Sequence, residues 1–123
     1  MTPENTVRTF LAAMENRDFA AAEGFLAAEF EMEFPGSEKM HTPNELIEWS
    51  KPRYRSVGKH YERTDVADAP DGSAVIYCFG NLDGSWNDGT SFSDTRFIDR
   101  FTIVGGKIAN QKVSNDIGEL TSR

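Results

Sequence analysis

RFTIVGGKIANQKVSND, residues 100–116, alternates, turns and alternates again. Phe101 and Ile103 fall on one side of the chain, and Arg100, Thr102 and Val104 on the other. That is the two-residue period of a strand with one buried face. Gly105-Gly106 can take the positive φ angles of a two-residue turn. Lys107 to Ser114 then returns as the partner strand, so the stretch is a β-hairpin. Asp116 stands just past its end, either as a cap to the strand or as a group with chemistry to do.

Upstream of this hairpin the chain reads as more strands and, before them, helices. The long strand extends back to Phe92, and the Trp86-Asn87-Asp88-Gly89-Thr90 turn joins it to another at Ala74–Leu82. There Tyr77, Phe79 and Asn81 share one face, and Ile76, Cys78 and Leu82 the other. Asp68-Ala69-Pro70-Asp71-Gly72 is a turn, preceded by a strand over Tyr61–Val66. Thr42-Pro43-Asn44-Glu45 is a capping box with proline at the first helical position, and the helix it starts carries Leu46, Ile47 and Trp49 until Pro52 breaks it. Phe30 to Phe34 alternates as a short strand closed by Pro35-Gly36. Asp18 caps a helix with Phe19, Ala22, Phe25 and Leu26 inward. Thr2-Pro3 opens the first helix, whose apolar face is Val7, Phe10, Leu11 and Met14. Helices followed by hairpins give an α+β fold, a curved antiparallel sheet with three N-terminal helices packed on its concave face.

Composition narrows the function. A chain of 123 residues with 38% hydrophobic and 11% aromatic residues is one domain, residues 1–123, able to bury a core. Thirteen Lys and Arg against 20 Asp and Glu leave a net charge of −7. The basic residues are scattered, which argues against nucleic acid as a partner. No apolar run approaches the roughly 20 residues of a membrane span, and MTPENTVRTF lacks a basic start followed by an apolar block. The single cysteine, Cys78, lies in an apolar strand and reads as a buried inert thiol. A cytoplasmic location is the expectation. His41 and His60 stand apart from any cysteine or spaced carboxylate, so no metal site is expected. Nor does a phosphate loop or a nucleophile elbow point to a cofactor.

Helices over a curved sheet enclose a cone-shaped space of the kind that holds small ligands. Phe10, Phe34, Trp49, Tyr54, Tyr77 and Phe97 are the candidates to line it for an apolar ligand, with Asn81 as a donor from the middle strand. Along the long strand Phe97, Asp99, Phe101 and Ile103 share a face. A carboxylate among aromatics is disfavoured in its charged form, which suits it to moving protons near neutral pH. Asp99 is therefore the first catalytic candidate and Asp116 the second. The alternative for Asp99 is a salt bridge, with Arg96 or Arg100 at hand, and for Asp116 a cap at the strand end.

The order of elements, with the motifs FEMEFPG (residues 30–36) and RFTIVGGKI (residues 100–108), resembles the NTF2-like superfamily and, within it, the SnoaL-like polyketide cyclase and ketosteroid isomerase branch. The resemblance covers almost the whole chain. It implies a cystatin-like cone of sheet and helices, commonly a homodimer through the outer face of the sheet. On the long strand that outer face mixes Ile98 and Val104 with Arg96, Arg100 and Thr102. It also implies cofactor-free acid–base chemistry in the cone, with one pocket aspartate moving protons during ring closure in the cyclases. The catalytic positions of the isomerases fall on Phe10, Phe34 and Phe97, and phenylalanine neither moves a proton nor donates a hydrogen bond. The related limonene-epoxide hydrolases need an aspartate–arginine–aspartate relay, which no spacing here matches. Two functions stay open. One is a cyclase, isomerase or lyase working on an apolar carbonyl compound. The other is a module that binds a hydrophobic ligand, or dimerises, without chemistry.

Overall fold

Thr2 opens the first helix as its sequence requires. In the computed structural model, which describes residues 1–118, α1 runs Pro3–Glu15, and the Thr2 hydroxyl accepts from the Asn5 amide at 3.1 Å. Its buried face carries Thr6, Val7, Phe10 and Ala13. Arg17 then takes a left-handed φ of 60° and reverses the chain. The second helix, α2, is only Phe19–Glu23, with Ala22 its one buried residue. The expected inward positions Phe25 and Leu26 lie beyond it, because the C-terminal part of the chain captures this segment. Lys107 Nζ donates to the Gly24 carbonyl at 2.6 Å, and the Ile108 amide donates to the Phe25 carbonyl at 2.9 Å. Leu26 thus starts a strand, β1, Leu26–Glu33. The third helix, α3, is Pro43–Ser50. Thr42 accepts from the Glu45 amide, and the Glu45 carboxylate accepts in return from the His41 amide.

Four longer strands follow: β2 Tyr54–Asp68, β3 Ala74–Trp86, β4 Ser91–Val104 and β5 Lys107–Asn115. Their order in the sheet is β1-β5-β4-β3-β2. The hairpin-linked neighbours are antiparallel, as expected, whereas β1 lies parallel to β5, with Leu26 opposite Ile108. A parallel neighbour needs a long crossover rather than a tight turn, and here α3 and three strands supply it.

Two irregularities set which residues face the helices. In β4, Ser93 and Asp94 together stand opposite Asp83, with Asp94 at φ 53°. Aspartate tolerates this left-handed conformation better than most residues. The bulge brings Phe92 and Thr95 to the face that then carries Phe97, Asp99, Phe101 and Ile103, all buried. In β3, Gly80 and Gly84 let neighbouring strands approach closely. A Cβ on Gly80 would stand 2.0 Å from the His60 carbonyl oxygen, and one on Gly84 would stand 2.2 Å from that of Ser56. Glycine at such points lets a sheet bend sharply, and the bend makes the concave face.

The core has two centres. Val7, Phe10, Met32, Ile76, Phe101 and Ile108 join the helices to the sheet, with Phe10 edge-on to Phe101 at 6.1 Å. Leu82, Phe92, Phe97 and Ile117 form a second cluster, with Tyr54 and Trp86 packed on it. Among the described residues no helix is long and apolar enough to cross a membrane.

Candidate functional site

A cavity of about 770 Å³ opens between α1, α3, β2 and the sheet. This is ample for a drug-sized ligand. Five of the expected aromatic residues line it: Phe10, Phe34, Trp49, Tyr54 and Phe97. Phe34 packs on Trp49 at 5.7 Å, and Tyr54 on Trp86 at 5.6 Å. Burial lifts the Tyr54 phenol above its ordinary value, while neighbouring Arg53 pulls the other way.

Tyr77 and Asn81 are not part of this cavity, which corrects the expectation for both. They occupy β3 positions that alternate with the buried Ile76, Cys78 and Leu82, so they lie on the outer face. There Tyr77 stacks on Phe79 at 6.3 Å and accepts from Arg100, and Asn81 donates to Glu62.

Asp99 is on the inner face, as its alternation requires, and is fully buried. Its partner is neither Arg96 nor Arg100. It is Lys59, from β2, whose Nζ donates to Asp99 Oδ2 at 2.7 Å. Lys59 lies opposite Leu82 and Asp99 opposite Cys78. Gly80, between those two in β3, has no side chain to block the path. Lys59 lines the cavity and Asp99 does not, so the carboxylate lies behind the ammonium. The other carboxylate oxygen, Oδ1, is buried with no hydrogen-bond donor among the described residues.

The electrostatics of Lys59 follow from this. Burial works against the ammonium, but the charge and hydrogen bond of Asp99 outweigh it and hold Lys59 above its ordinary value. Two rings flank the charge, Phe97 at 5.3 Å and Phe34 at 6.0 Å from Nζ to ring centroid. Both are close enough for a favourable cation–π contact. Tyr61, also lining the cavity, stands edge-on to Phe97 at 5.4 Å. Burial, seconded by the Asp99 charge, raises its phenol and outweighs the opposing pull of Lys59, so the hydroxyl stays protonated as a donor. Burial, with the Asp99 charge, also pushes the Cys78 thiol up to about 11.

Asp116 lies apart from the cavity. Its Oδ2 accepts from Arg96 Nε at 2.6 Å, and the two side chains are 40% and 83% exposed. It is half of a surface ion pair at the strand end, and the expectation that it serves the site is corrected accordingly. No three His, Cys, Asp or Glu side chains among the described residues converge to hold a metal ion.

The profile of the SnoaL-like domain matches residues 7–111 of this chain. The chain belongs to the SnoaL-like domain family. Several solved structures share its fold. An NTF2-like protein of unknown function from Burkholderia pseudomallei is 16% identical, with a TM-score of 0.78 over 97% of this chain and 94% of its own. TerC, co-crystallised with polyporic acid, is 12% identical, with a TM-score of 0.77 over 96% and 94%. A provisionally assigned polyketide cyclase from Pseudomonas putida is 16% identical, with a TM-score of 0.69 over 99% and 97%. At these identities the likeness is one of fold. No curated protein sequence matches the chain.

What distinguishes the cavity of this SnoaL-like domain is thus a lysine, where the sequence reading placed an aspartate. Lys59, Tyr61 and the buried Gln111 all line it, and none was a candidate from sequence. A signal was present: Val57, Lys59 and Tyr61 alternate along one side of a strand. The strand expected from the sequence, Tyr61–Val66, starts too late to include it. A lysine kept protonated is neither a nucleophile nor a base at neutral pH. It has three donors, of which Asp99 takes one and the Tyr61 oxygen is placed to take another, and it can offer the third to a ligand oxygen in an apolar enclosure.

Proposed function

We propose that this domain binds an apolar carbonyl compound in its cavity and stabilises negative charge on the carbonyl oxygen through Lys59. The observation that carries the reading is the Lys59–Asp99 ion pair at 2.7 Å, placed among Phe34, Phe97 and Tyr61. When a carbon beside the carbonyl loses its proton to solvent water, the electrons move onto the oxygen and an enolate forms. A fixed ammonium and a neutral phenol facing that oxygen favour the enolate over the ketone, and the apolar aromatic walls around them strengthen both. The enolate can then be reprotonated, which is isomerisation, or attack a second carbonyl, which is ring closure. Asp99 acts in this scheme as a positioning residue that keeps Lys59 charged and in place.

The fold relatives support this choice of chemistry only in general, since a fold hosts many functions. The non-catalytic alternative uses the same cavity and the same oxygen contact without proton loss. One experiment separates them: deuterium incorporation beside the carbonyl of 2-tetralone, followed by NMR in D2O. The expected result is exchange above the buffer rate with the wild-type protein and at least about a tenfold loss in Lys59→Met. The double variant Lys59→Met/Asp99→Leu, which leaves no buried charge unpaired, guards against mere misfolding. Saturable binding without faster exchange would assign the cavity to binding alone. Exchange or binding unchanged by loss of Lys59 would refute the reading.

A homodimer through the outer sheet face belongs to the same proposal. Its support is the exposed Ile98 and Val104 beside the Tyr77–Phe79 stack. A monomer in sedimentation at micromolar concentration would rule it out.

A further inference from the structure

The charges around the cavity run against those of the whole protein. The chain carries −7, yet the cavity is lined by four cationic side chains, Arg17, Arg53, Arg55 and Lys59, and a single carboxylate, Glu15. Asp99 matches the charge of Lys59, so the inner end of the cavity is close to neutral. The remaining positive charge belongs to the three arginines, set against the one carboxylate of Glu15. All three are exposed, which puts them at the opening.

These arginines are placed unlike most of the other surface cations. Arg8, Lys51, Arg63 and Arg96 are each held by a carboxylate at 2.8 Å or less. Among the described residues, none of Arg17, Arg53 and Arg55 has a carboxylate partner. Arg53 lies over the Trp49 ring at 4.3 Å, and Arg55 donates to the Asn87 carbonyl at 3.4 Å. Both contacts hold the side chain without a direct ion pair, although the Asp88 carboxylate lies within reach of the Arg55 charge. A guanidinium stacked on an aromatic ring keeps its edge donors free for a planar anion.

We infer that the ligand of this cavity is an apolar oxo acid: a neutral carbonyl at the Lys59 end, a flat hydrophobic body between the aromatic walls, and a carboxylate at the arginine rim. The inference rests on the reading of Lys59 given above and adds to it the charge of the ligand. The two ends differ in kind. Lys59 is already paired, so it is suited to a neutral oxygen. The arginines are unpaired, so they are suited to a full negative charge, and a net positive opening also speeds capture of an anion.

The test uses 4-benzoylbenzoate, which has a ketone at its centre and a carboxylate at one end, and its methyl ester, which keeps the ketone and lacks the charge. Isothermal titration of the wild-type protein should show the acid binding about tenfold tighter than the ester at low salt. The gap should narrow as salt is raised and the rim charges are screened. In Arg17→Gln/Arg53→Gln the affinity for the acid should fall to near that for the ester, while Arg17→Lys/Arg53→Lys should keep the preference. Equal binding of acid and ester, or a preference that survives the glutamine variant, overturns the oxo-acid inference. If both probes still weaken in Lys59→Met, the carbonyl reading stands without it. No saturable binding of either probe overturns the inference, and 2-tetralone binding then decides separately whether the carbonyl reading falls with it.

Discussion

Replacing Lys59 with methionine keeps an unbranched side chain, one atom shorter, and removes its charge. Asp99 is fully buried and the Lys59 side chain is 24% exposed. The variant therefore leaves a carboxylate in the interior with no donor on either oxygen, since Oδ1 has none to begin with. Breaking a buried pair in this way costs about 3–5 kcal/mol, and the partial access of water through the cavity argues for about 3. For a chain of this size that is roughly 10 °C in Tm. Removing both charges, in Lys59→Met/Asp99→Leu, should return most of that loss and leave the protein within about 1 kcal/mol of wild type. Urea unfolding at pH 7 for the four members of the cycle measures the coupling directly. The pH dependence has a definite sign. Lys59 is raised in the folded state, so its contribution is complete below the unfolded value of about 10.4 and fades only as pH climbs through the higher folded one. The wild-type advantage over the double variant should accordingly not change between pH 6 and 9. A cost below about 1 kcal/mol for Lys59→Met, or a double variant as unstable as that single one, would refute the reasoning that the pair is a buried, coupled unit.

Other consequences are simpler to test. Gly80→Ala should cost at least about 2 kcal/mol in urea unfolding, because the added methyl meets the His60 carbonyl and the Phe97 ring in a strand bend that has no slack. Arg96→Ala should change stability by less than about 0.5 kcal/mol and leave ligand affinity unaltered, since its pair with Asp116 is exposed and neither side chain lines the cavity. The Cys78 thiol, pushed up to about 11 and buried, should resist disulfide-exchange reagents at pH 8 until denaturant is added; prompt labelling of the native protein would show that the strand opens readily.

Much of the architecture was legible because it rests on local chemistry. Thr2-Pro3 and Thr42-Pro43 placed two helix starts, and the alternation from Phe97 to Ile103 placed the inner face of the long strand. The reading failed where the cue was not local. The second helix was overextended because nothing near Phe25 announces that Ile108, far along the chain, will take its carbonyl. The true length of β2 was hidden because positions 54–60 have cavity on one side and solvent on the other, and neither side looks like core. Asp99 was singled out as a carboxylate among aromatics, but its lysine partner, two strands away in the sheet, gave no local cue. Tyr77 and Asn81 were assigned to the cavity by residue type, although their alternation with Ile76 and Leu82 already placed them opposite the core.

The parallel pairing of β1 with β5 bears on how the chain reaches its native state. Leu26 finds its place only against Ile108, a contact spanning two thirds of the sequence. Such long-range closure slows folding relative to a sheet built of neighbouring hairpins alone. The strands from β2 to β5 can zip together in order, each on a partner recently made. The α1–α2–β1 segment, which precedes them in the sequence, must wait for the last of them before it can be locked in place. An intermediate with a formed hairpin sheet and an undocked helical layer would expose Phe101, Ile103 and Ile108 together, and at that stage the protein is most open to chaperones and to aggregation.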